Sequence, residues 1–139
     1  MGTFVGALAA AGGLAKLLDR EPPGDSALDL AVLAGATFKA ARTIARDDVT
    51  SFVRAPFVEG EEGEPKQTGG LEQAIGELVT CTRCVGTWAA AGLIATQIVA
   101  PRFGRMLTWT LAAGAANDFL QAGFAALTNK SNELEARTD

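Results

Sequence analysis

The chain has 139 residues, of which 48% are hydrophobic, 6% aromatic and 20% charged. The absence of histidine removes the most common general base and metal ligand, and no Lys/Arg tract is interleaved with aromatic residues as in a nucleic-acid site. The mean hydropathy of +0.19 indicates apolar residues gathered in blocks. We therefore expect one domain, without nucleic acid as a partner and without enzymatic activity of its own.

Two apolar blocks occupy the N-terminal third of the chain. Residues 2–18 are rich in Ala and Gly but barely long enough to cross a bilayer, so this block either spans the membrane or lies on its surface. Residues 26–46 carry Lys39, Arg42 and Arg46 at spacings of three and four, which place these cations on one helical face. We predict a membrane-spanning helix over 26–46 with a basic cytoplasmic end.

A polar segment, residues 50–70, separates these blocks from the C-terminal half. Its acidic run E-G-E-E-G-E has no apolar periodicity and predicts a solvated cytoplasmic loop. The stretch V-R-A-P-F places Arg54, Pro56 and Phe57 in a turn that we expect to contact lipid headgroups, the next helix or a partner. Residues 71–80 are amphipathic and predict a helix at the membrane interface.

Two further apolar blocks, residues 81–100 and 106–129, are joined by P-R-F-G-R, which predicts a hairpin of antiparallel helices. Both are apolar on most faces, and a chain of this length has no core that could bury them, so we predict two more spans. Trp88 suits an interfacial anchor, and residues 130–139 form a polar tail. The predicted fold class is all-α: a single membrane domain (1–139) with three to four transmembrane helices and a C-terminal antiparallel hairpin.

The distribution of Lys and Arg predicts the orientation. With the central loop and the C-terminus in the cytoplasm, eight of the twelve basic residues lie inside: Lys39, Arg42, Arg46, Arg54, Lys66, Arg83, Lys130 and Arg137. Four lie outside: Lys16, Arg20, Arg102 and Arg105. We expect a multi-pass protein of the cell membrane. Its expected partners are the lipid bilayer and either another membrane protein or a second copy of itself.

Two motifs carry a family resemblance. The first is D-x-V-T-x-x-x-R-A-P-F, and the second is E-L-x-x-C-x-x-C-x-G-x-W. Their residues here are Asp48, Val49, Thr50, Arg54, Ala55, Pro56 and Phe57, then Glu77, Leu78, Cys81, Cys84, Gly86 and Trp88. Over residues 27 to 127 the chain resembles a bacterial membrane-protein family called domain of unknown function 1360. The family implies a small integral membrane protein, some members being linked to sporulation, and no established activity.

The chain departs from the family pattern at two positions. The family usually has proline where Thr82 stands, and often has histidine where Phe38 stands. If that histidine takes part in chemistry in other members, this chain lacks it.

The cysteine pair admits three interpretations. Cys81 and Cys84 are small residues at the mouth of a membrane helix, thiols of a metal site, or a redox pair activated by the helix N-terminus and Arg83. We favour the structural interpretation, which predicts slow alkylation, no stoichiometric metal and a tolerated double alanine variant. No cofactor is expected, except zinc in a Cys₄ site shared by two chains.

Polar residues also occur inside the last apolar block. Asn117 and Asp118 lie near its middle, where a carboxylate costs about 3 kcal/mol on insertion scales unless it is neutral, paired or hydrated. We favour an ion pair of Asp118 with Lys39 or Arg42, and the alternative is a proton or ion relay.

The sequence alone favours an accessory or partner-binding membrane component. The first alternative is a thiol-based metal-binding or redox membrane protein that uses the CxxC pair. The second is a transport subunit that relies on Asp118.

Overall fold

The protein is almost entirely helical. The structure, a computed structural model, describes residues 2–20, 26–59 and 64–137. Within these ranges the α-helices are α1 (Gly2–Leu17), α2 (Ala27–Arg46), α3 (Ser51–Arg54), α4 (Gly70–Thr80), α5 (Thr82–Val99) and α6 (Pro101–Glu135). A 3₁₀ turn (Asp48–Thr50) precedes α3, and the short strands β1 (Val58–Glu59) and β2 (Glu64–Pro65) pair antiparallel before α4. The predicted all-α fold class is confirmed.

Helices α1 and α5 run parallel to each other. Near their starts, Phe4 contacts Trp88 edge to face, with ring centroids 5.2 Å apart. Beyond the other end of α1, the guanidinium of Arg20 donates a hydrogen bond of 3.0 Å to the carbonyl of Ile98, one of the last carbonyls of α5. Contacts at both ends therefore align the two helices in the same direction.

Helix α2 lies between α5 and α6. Its Gly35 approaches Ala112 of α6, and Lys39, one turn later, pairs with Asp118, so α2 and α6 are parallel. Ala41, in the second half of α2, lies 3.8 Å from where a Cβ on Gly86 would be, near the start of α5. Helix α5 is therefore antiparallel to α2 and α6, which is the alternation expected of the predicted hairpin.

Local sequence sets the start of α2. The Ser26 hydroxyl accepts a hydrogen bond from the backbone N–H of Asp29 at 3.1 Å and donates to the Asp29 carboxylate at 2.6 Å. Serine is a preferred N-cap, and a carboxylate in the first turn is favoured by the positive end of the helix dipole. The helix ends at Arg46, where Asp47 is the C-cap.

Mostly small side chains are buried between the helices. The buried residues are Ala15, Ala36, Ala41, Ala45, Gly76, Val85, Leu93, Ile98, Gly104, Thr108 and Ala115. Large apolar side chains point outward along α6, where Phe119, Phe124 and Leu127 are each at least 64% exposed. Most buried residues are therefore small, with Val85, Leu93 and Ile98 as the larger ones, while the large apolar side chains late in α6 are exposed.

The hairpin between α5 and α6 is tighter than the sequence suggests. Only Ala100 separates the helices, and α6 begins at Pro101 rather than at the expected Met106. Proline suits the first helical position because its missing N–H would have no intrahelical partner there. Helix α6 also runs on to Glu135, beyond the expected end at Asn129, and Lys130 pairs with Glu133 within this extension.

The central segment, expected as an irregular loop over 50–70, holds local structure. It contains part of the 3₁₀ turn, α3 and the two-residue ladder in which Glu59 faces Glu64. The rest of the acidic run, residues 60–63, lies outside the described residues. Helix α4 follows nearly as predicted, from Gly70 instead of residue 71.

The length and apolarity of a helix decide whether it can cross a bilayer. Among the described residues, no single helix is long and apolar enough to cross a bilayer. Helices α4 and α5 meet the requirement as a pair, bent by 86° where they join.

Candidate functional site

The cysteine motif lies at the bend between α4 and α5. Cys81 is the single residue between these helices and has an extended backbone, with φ −95° and ψ 104°. It is the N-cap of α5, and its Sγ accepts a hydrogen bond from the backbone N–H of Cys84 at 3.3 Å. The Cys84 thiol donates to the same Sγ at 2.7 Å. Two free thiols therefore face each other at the start of a helix.

The contacts of the two thiols differ. The S–H and the backbone N–H of Cys84 both donate to Cys81 Sγ, and Arg83 lies between the two cysteines in the chain. Hydrogen-bond donors and a nearby cation favour a thiolate over a thiol. Cys81 is therefore the better placed of the two to react as a thiolate.

The remaining residues of the second motif support this bend. Gly86 allows α2 to pack against the first turns of α5, where it faces Ala41. Trp88, expected at the membrane interface or at a partner, contacts Phe4 of α1 while its side chain stays 38% exposed. The motif therefore holds α1 and α2 around the start of α5.

A metal site in one chain is not supported by the donors that surround the cysteines. Over residues 2–20, 26–59 and 64–137, no group of three or more Cys, Asp or Glu side chains could hold a metal ion. Two thiolates are fewer than the four ligands of a structural zinc site. The shared zinc site considered from the sequence would need both cysteines of a second chain.

The polar residues expected inside the bundle meet between α2 and α6. Lys39 Nζ lies 2.9 Å from Asp118 Oδ2, with the two side chains 26% and 37% exposed. Phe38 and Phe119 stack beside this pair, with ring centroids 5.3 Å apart. Arg42 and this ion pair line one groove, which has a volume of about 320 Å³. The sequence offers either Lys39 or Arg42 as the partner of Asp118. In the structure Asp118 pairs with Lys39.

Asn117 occupies a different position from its neighbour Asp118. Its side chain is exposed on α6, outside the Lys39–Asp118 contact. The structure thus joins Lys39 and Asp118 in an ion pair, puts Arg42 beside them and turns Asn117 away.

Thr50 and Arg54, from the first motif, close the end of α2. The Thr50 hydroxyl donates to the carbonyl of Thr43, and Arg54 donates to the carbonyls of Ile44 at 2.8 Å and Asp47 at 3.1 Å. The last carbonyls of a helix have no intrahelical partner and form its negative end, so a guanidinium is favoured there. The motif D-x-V-T-x-x-x-R is therefore a helix cap, a role that sequence reasoning missed. The spacing of four residues between Thr50 and Arg54 was the sequence feature that could have indicated this cap.

Pro56 and Phe57 anchor the turn that follows. The Lys66 ammonium donates to the carbonyl of Pro56 at 2.8 Å, and its backbone N–H donates to the carbonyl of Phe57 at 3.0 Å. A Cβ on Gly76 of α4 would lie 2.7 Å from the Phe57 carbonyl oxygen. Of the contacts expected for V-R-A-P-F, the structure shows the one with the next helix.

These features define a small helical bundle with a dithiol at a helix start and two capping motifs. Residues 32–124 match the profile of the family described as "Protein of unknown function (DUF1360)", and the chain belongs to this family. The matched range contains both motifs and the Lys39–Asp118 pair, but not α1.

A curated relative extends the comparison to a named protein. The chain is 31% identical over 95 residues to the sporulation protein YjcA of Bacillus subtilis (strain 168). The aligned region covers 61% of this chain and 80% of that relative. No solved structure matches the chain.

Proposed function

We propose that the protein is a multi-pass component of a bacterial cell membrane that binds a partner within the membrane. The observation that carries this proposal is the inverted distribution of side-chain size. Ala36, Ala41 and Ala115 lie in the contact between helices, while Phe119, Phe124 and other large apolar residues point outward. Small residues let membrane helices approach closely, and exposed large apolar surface is costly in water.

Polar side chains lower the hydropathy of the single helices, but in the assembled bundle they pair with each other between helices. This pairing is compatible with insertion of the bundle into a membrane. Lys39 pairs with Asp118 between α2 and α6, and Gln97 donates to the buried hydroxyl of Thr108 at 2.9 Å between α5 and α6. In the described part of the chain, every buried side-chain nitrogen or oxygen has a hydrogen-bond partner. Helices that satisfy these groups among themselves can present an apolar outer surface to lipid.

The arrangement of the helices is compatible with the orientation proposed from charge. The parallel α2 and α6, with the antiparallel α5, bring Arg46, Arg83 and Lys130 towards one end of the bundle, and Arg102 and Arg105 lie at the other. The end with more basic residues would face the cytoplasm. The central segment and the C-terminus would then be cytoplasmic.

Partner binding is supported by the last part of α6. Every described residue from Gln121 onward is exposed, including Phe124 and Leu127, which lie on one face at a spacing of three. Gly123 would let another helix approach closely. We propose another membrane protein or a second copy as the occupant. The name of the B. subtilis relative suggests sporulation as the process in which this binding takes place.

Impermeant labelling of single cysteines tests the insertion and the orientation. In a Cys81→Ser/Cys84→Ser background, Gln67→Cys probes the central segment and Phe103→Cys probes the α5–α6 hairpin, both at exposed positions. In intact cells we expect a membrane-impermeant maleimide to modify Phe103→Cys and to leave Gln67→Cys unmodified until the cells are lysed.

The outcomes separate the two parts of the proposal. The reverse labelling pattern would contradict the orientation. Release of the protein from membranes by alkaline carbonate would contradict insertion itself.

A further inference from the structure

The thiols of Cys81 and Cys84 are close enough to form a disulfide with little movement. Their Sγ atoms are 2.7 Å apart, and a disulfide needs about 2.05 Å. Cys84 is exposed and Cys81 is half-buried, and both lie at the start of α5, at the end of the bundle that the proposed function places towards the cytoplasm, so a reagent can reach the pair from solvent. Because Cys81 is the single residue between α4 and α5, closing the bond requires only a local adjustment at the bend.

Capping of α5 alone does not explain why residue 81 is a cysteine. Ser, Thr, Asp and Asn are the preferred N-caps, and a thiol is a weaker acceptor than a hydroxyl or a carboxylate. At both positions the chain has cysteine, and the second thiol donates to the first. A reaction between two thiols explains why both residues are cysteine, whereas an N-cap could be formed without a cysteine at either position.

We propose that Cys81 and Cys84 form a redox-active dithiol that exchanges with a disulfide, with Cys81 as the attacking thiol and Cys84 as the resolving thiol. The backbone N–H of Cys84 and the S–H of Cys84 both point at Cys81 Sγ, so they stabilise a thiolate there. The helix N-terminus and the adjacent Arg83 act in the same direction. Cys84 lies one helical turn after Cys81, on the same side of the helix, where its thiol can reach Cys81 Sγ.

The exchange is balanced with a disulfide as the oxidant. The Cys81 thiolate attacks one sulfur of the incoming disulfide, forms a mixed disulfide and releases one thiolate. Cys84 then loses its proton to this leaving thiolate and attacks Cys81 Sγ, which breaks the mixed disulfide and releases the second thiolate. That thiolate takes up the proton that Cys81 gave to solvent on ionising. The dithiol is oxidised by two electrons, and the disulfide is reduced to two thiols.

The experiment uses the full-length protein, purified under reducing conditions and then transferred to buffer without reductant. The probe is oxidised glutathione near neutral pH, and the products are identified by intact-mass and peptide mass spectrometry. The wild type should lose two hydrogen atoms and form a Cys81–Cys84 disulfide. Cys84→Ser should stop at one glutathione on Cys81, because the resolving thiol is missing.

The matched variant Cys81→Ser separates the two roles. Serine keeps the N-cap, so the helix start is preserved, and circular dichroism verifies that each variant is folded. We expect Cys84 in this variant to accept glutathione roughly tenfold more slowly than Cys81 does in Cys84→Ser, because it lacks the activating contacts.

Three results would overturn the proposal. One is equal rates for the two single-cysteine variants, and another is a wild type that remains reduced under excess oxidised glutathione. The third is zinc at half an equivalent per chain after purification without chelator, which would support the shared metal site instead. These readouts do not depend on insertion in a membrane, so failure of the dithiol and failure of the proposed function are distinguishable.

Discussion

Replacing Gly104 with alanine should lower the free energy of unfolding by about 3 kcal/mol, the upper part of the range for overpacking. A Cβ at this position would lie 2.5 Å from the backbone nitrogen of Gln97 and 2.7 Å from the carbonyl carbon of Thr96. Both atoms belong to the backbone of α5, so no side-chain rotation can relieve the overlap. Helices α5 and α6 would have to separate, which would also disturb the hydrogen bond between Gln97 and Thr108.

Gly123→Ala is the matched control in the same helix. Nothing lies within 4 Å of a Cβ at Gly123, so this change should stabilise α6 by about 0.5–1 kcal/mol through helix propensity. Unfolding of both variants by SDS titration in mixed micelles measures the difference. Equal stability of Gly104→Ala and Gly123→Ala would contradict the tight hairpin.

Removing one member of the ion pair between α2 and α6 should cost more than removing both. Asp118→Leu leaves the Lys39 ammonium without its partner in the groove. It should destabilise by about 2 kcal/mol, less than for a fully buried pair, because the two side chains are 26% and 37% exposed. The double variant Lys39→Met/Asp118→Leu replaces both charges by apolar side chains of similar size. We expect it to lie within about 1 kcal/mol of the wild type.

The double-mutant cycle, measured by the same SDS titration, isolates the coupling between the two residues. Arg42→Met in place of Lys39→Met is the matched control, since Arg42 lines the same groove. Additive effects of Lys39→Met and Asp118→Leu would show that the pair contributes nothing, and would favour the ion-relay alternative for Asp118.

The sequence predicts the helices well because their signals are local. Ser26 marks the start of α2, and apolar blocks separated by polar breaks define α1, α2, α5 and α6. The pairing of Asp118 with a cation of α2 is also expected from the sequence, because a carboxylate inside an apolar block needs a partner. The choice of Lys39 over Arg42 depends on the rotation of α2, which the sequence pattern leaves open.

Contacts between distant segments account for what the sequence does not predict. Arg20 and Arg54 each bind the carbonyl end of a helix, and both look from sequence like surface charges near a membrane. The close contact at Gly104 depends on the crossing of α5 and α6, which no periodicity reveals. For the cysteines, the spacing allows several chemistries. The N-cap geometry of Cys81, with the Cys84 thiol directed at it, is the observation on which we propose thiol exchange among them.

Quenching of tryptophan fluorescence by brominated lipids tests most directly whether the outer apolar surface contacts a bilayer. The chain has two tryptophans, and Trp88→Phe leaves Trp109, which is 46% exposed on α6, as the single fluorophore. In vesicles we predict strong quenching by bromine on the acyl chains and weak quenching by aqueous iodide. Full quenching by iodide together with no quenching by brominated lipid would contradict membrane insertion.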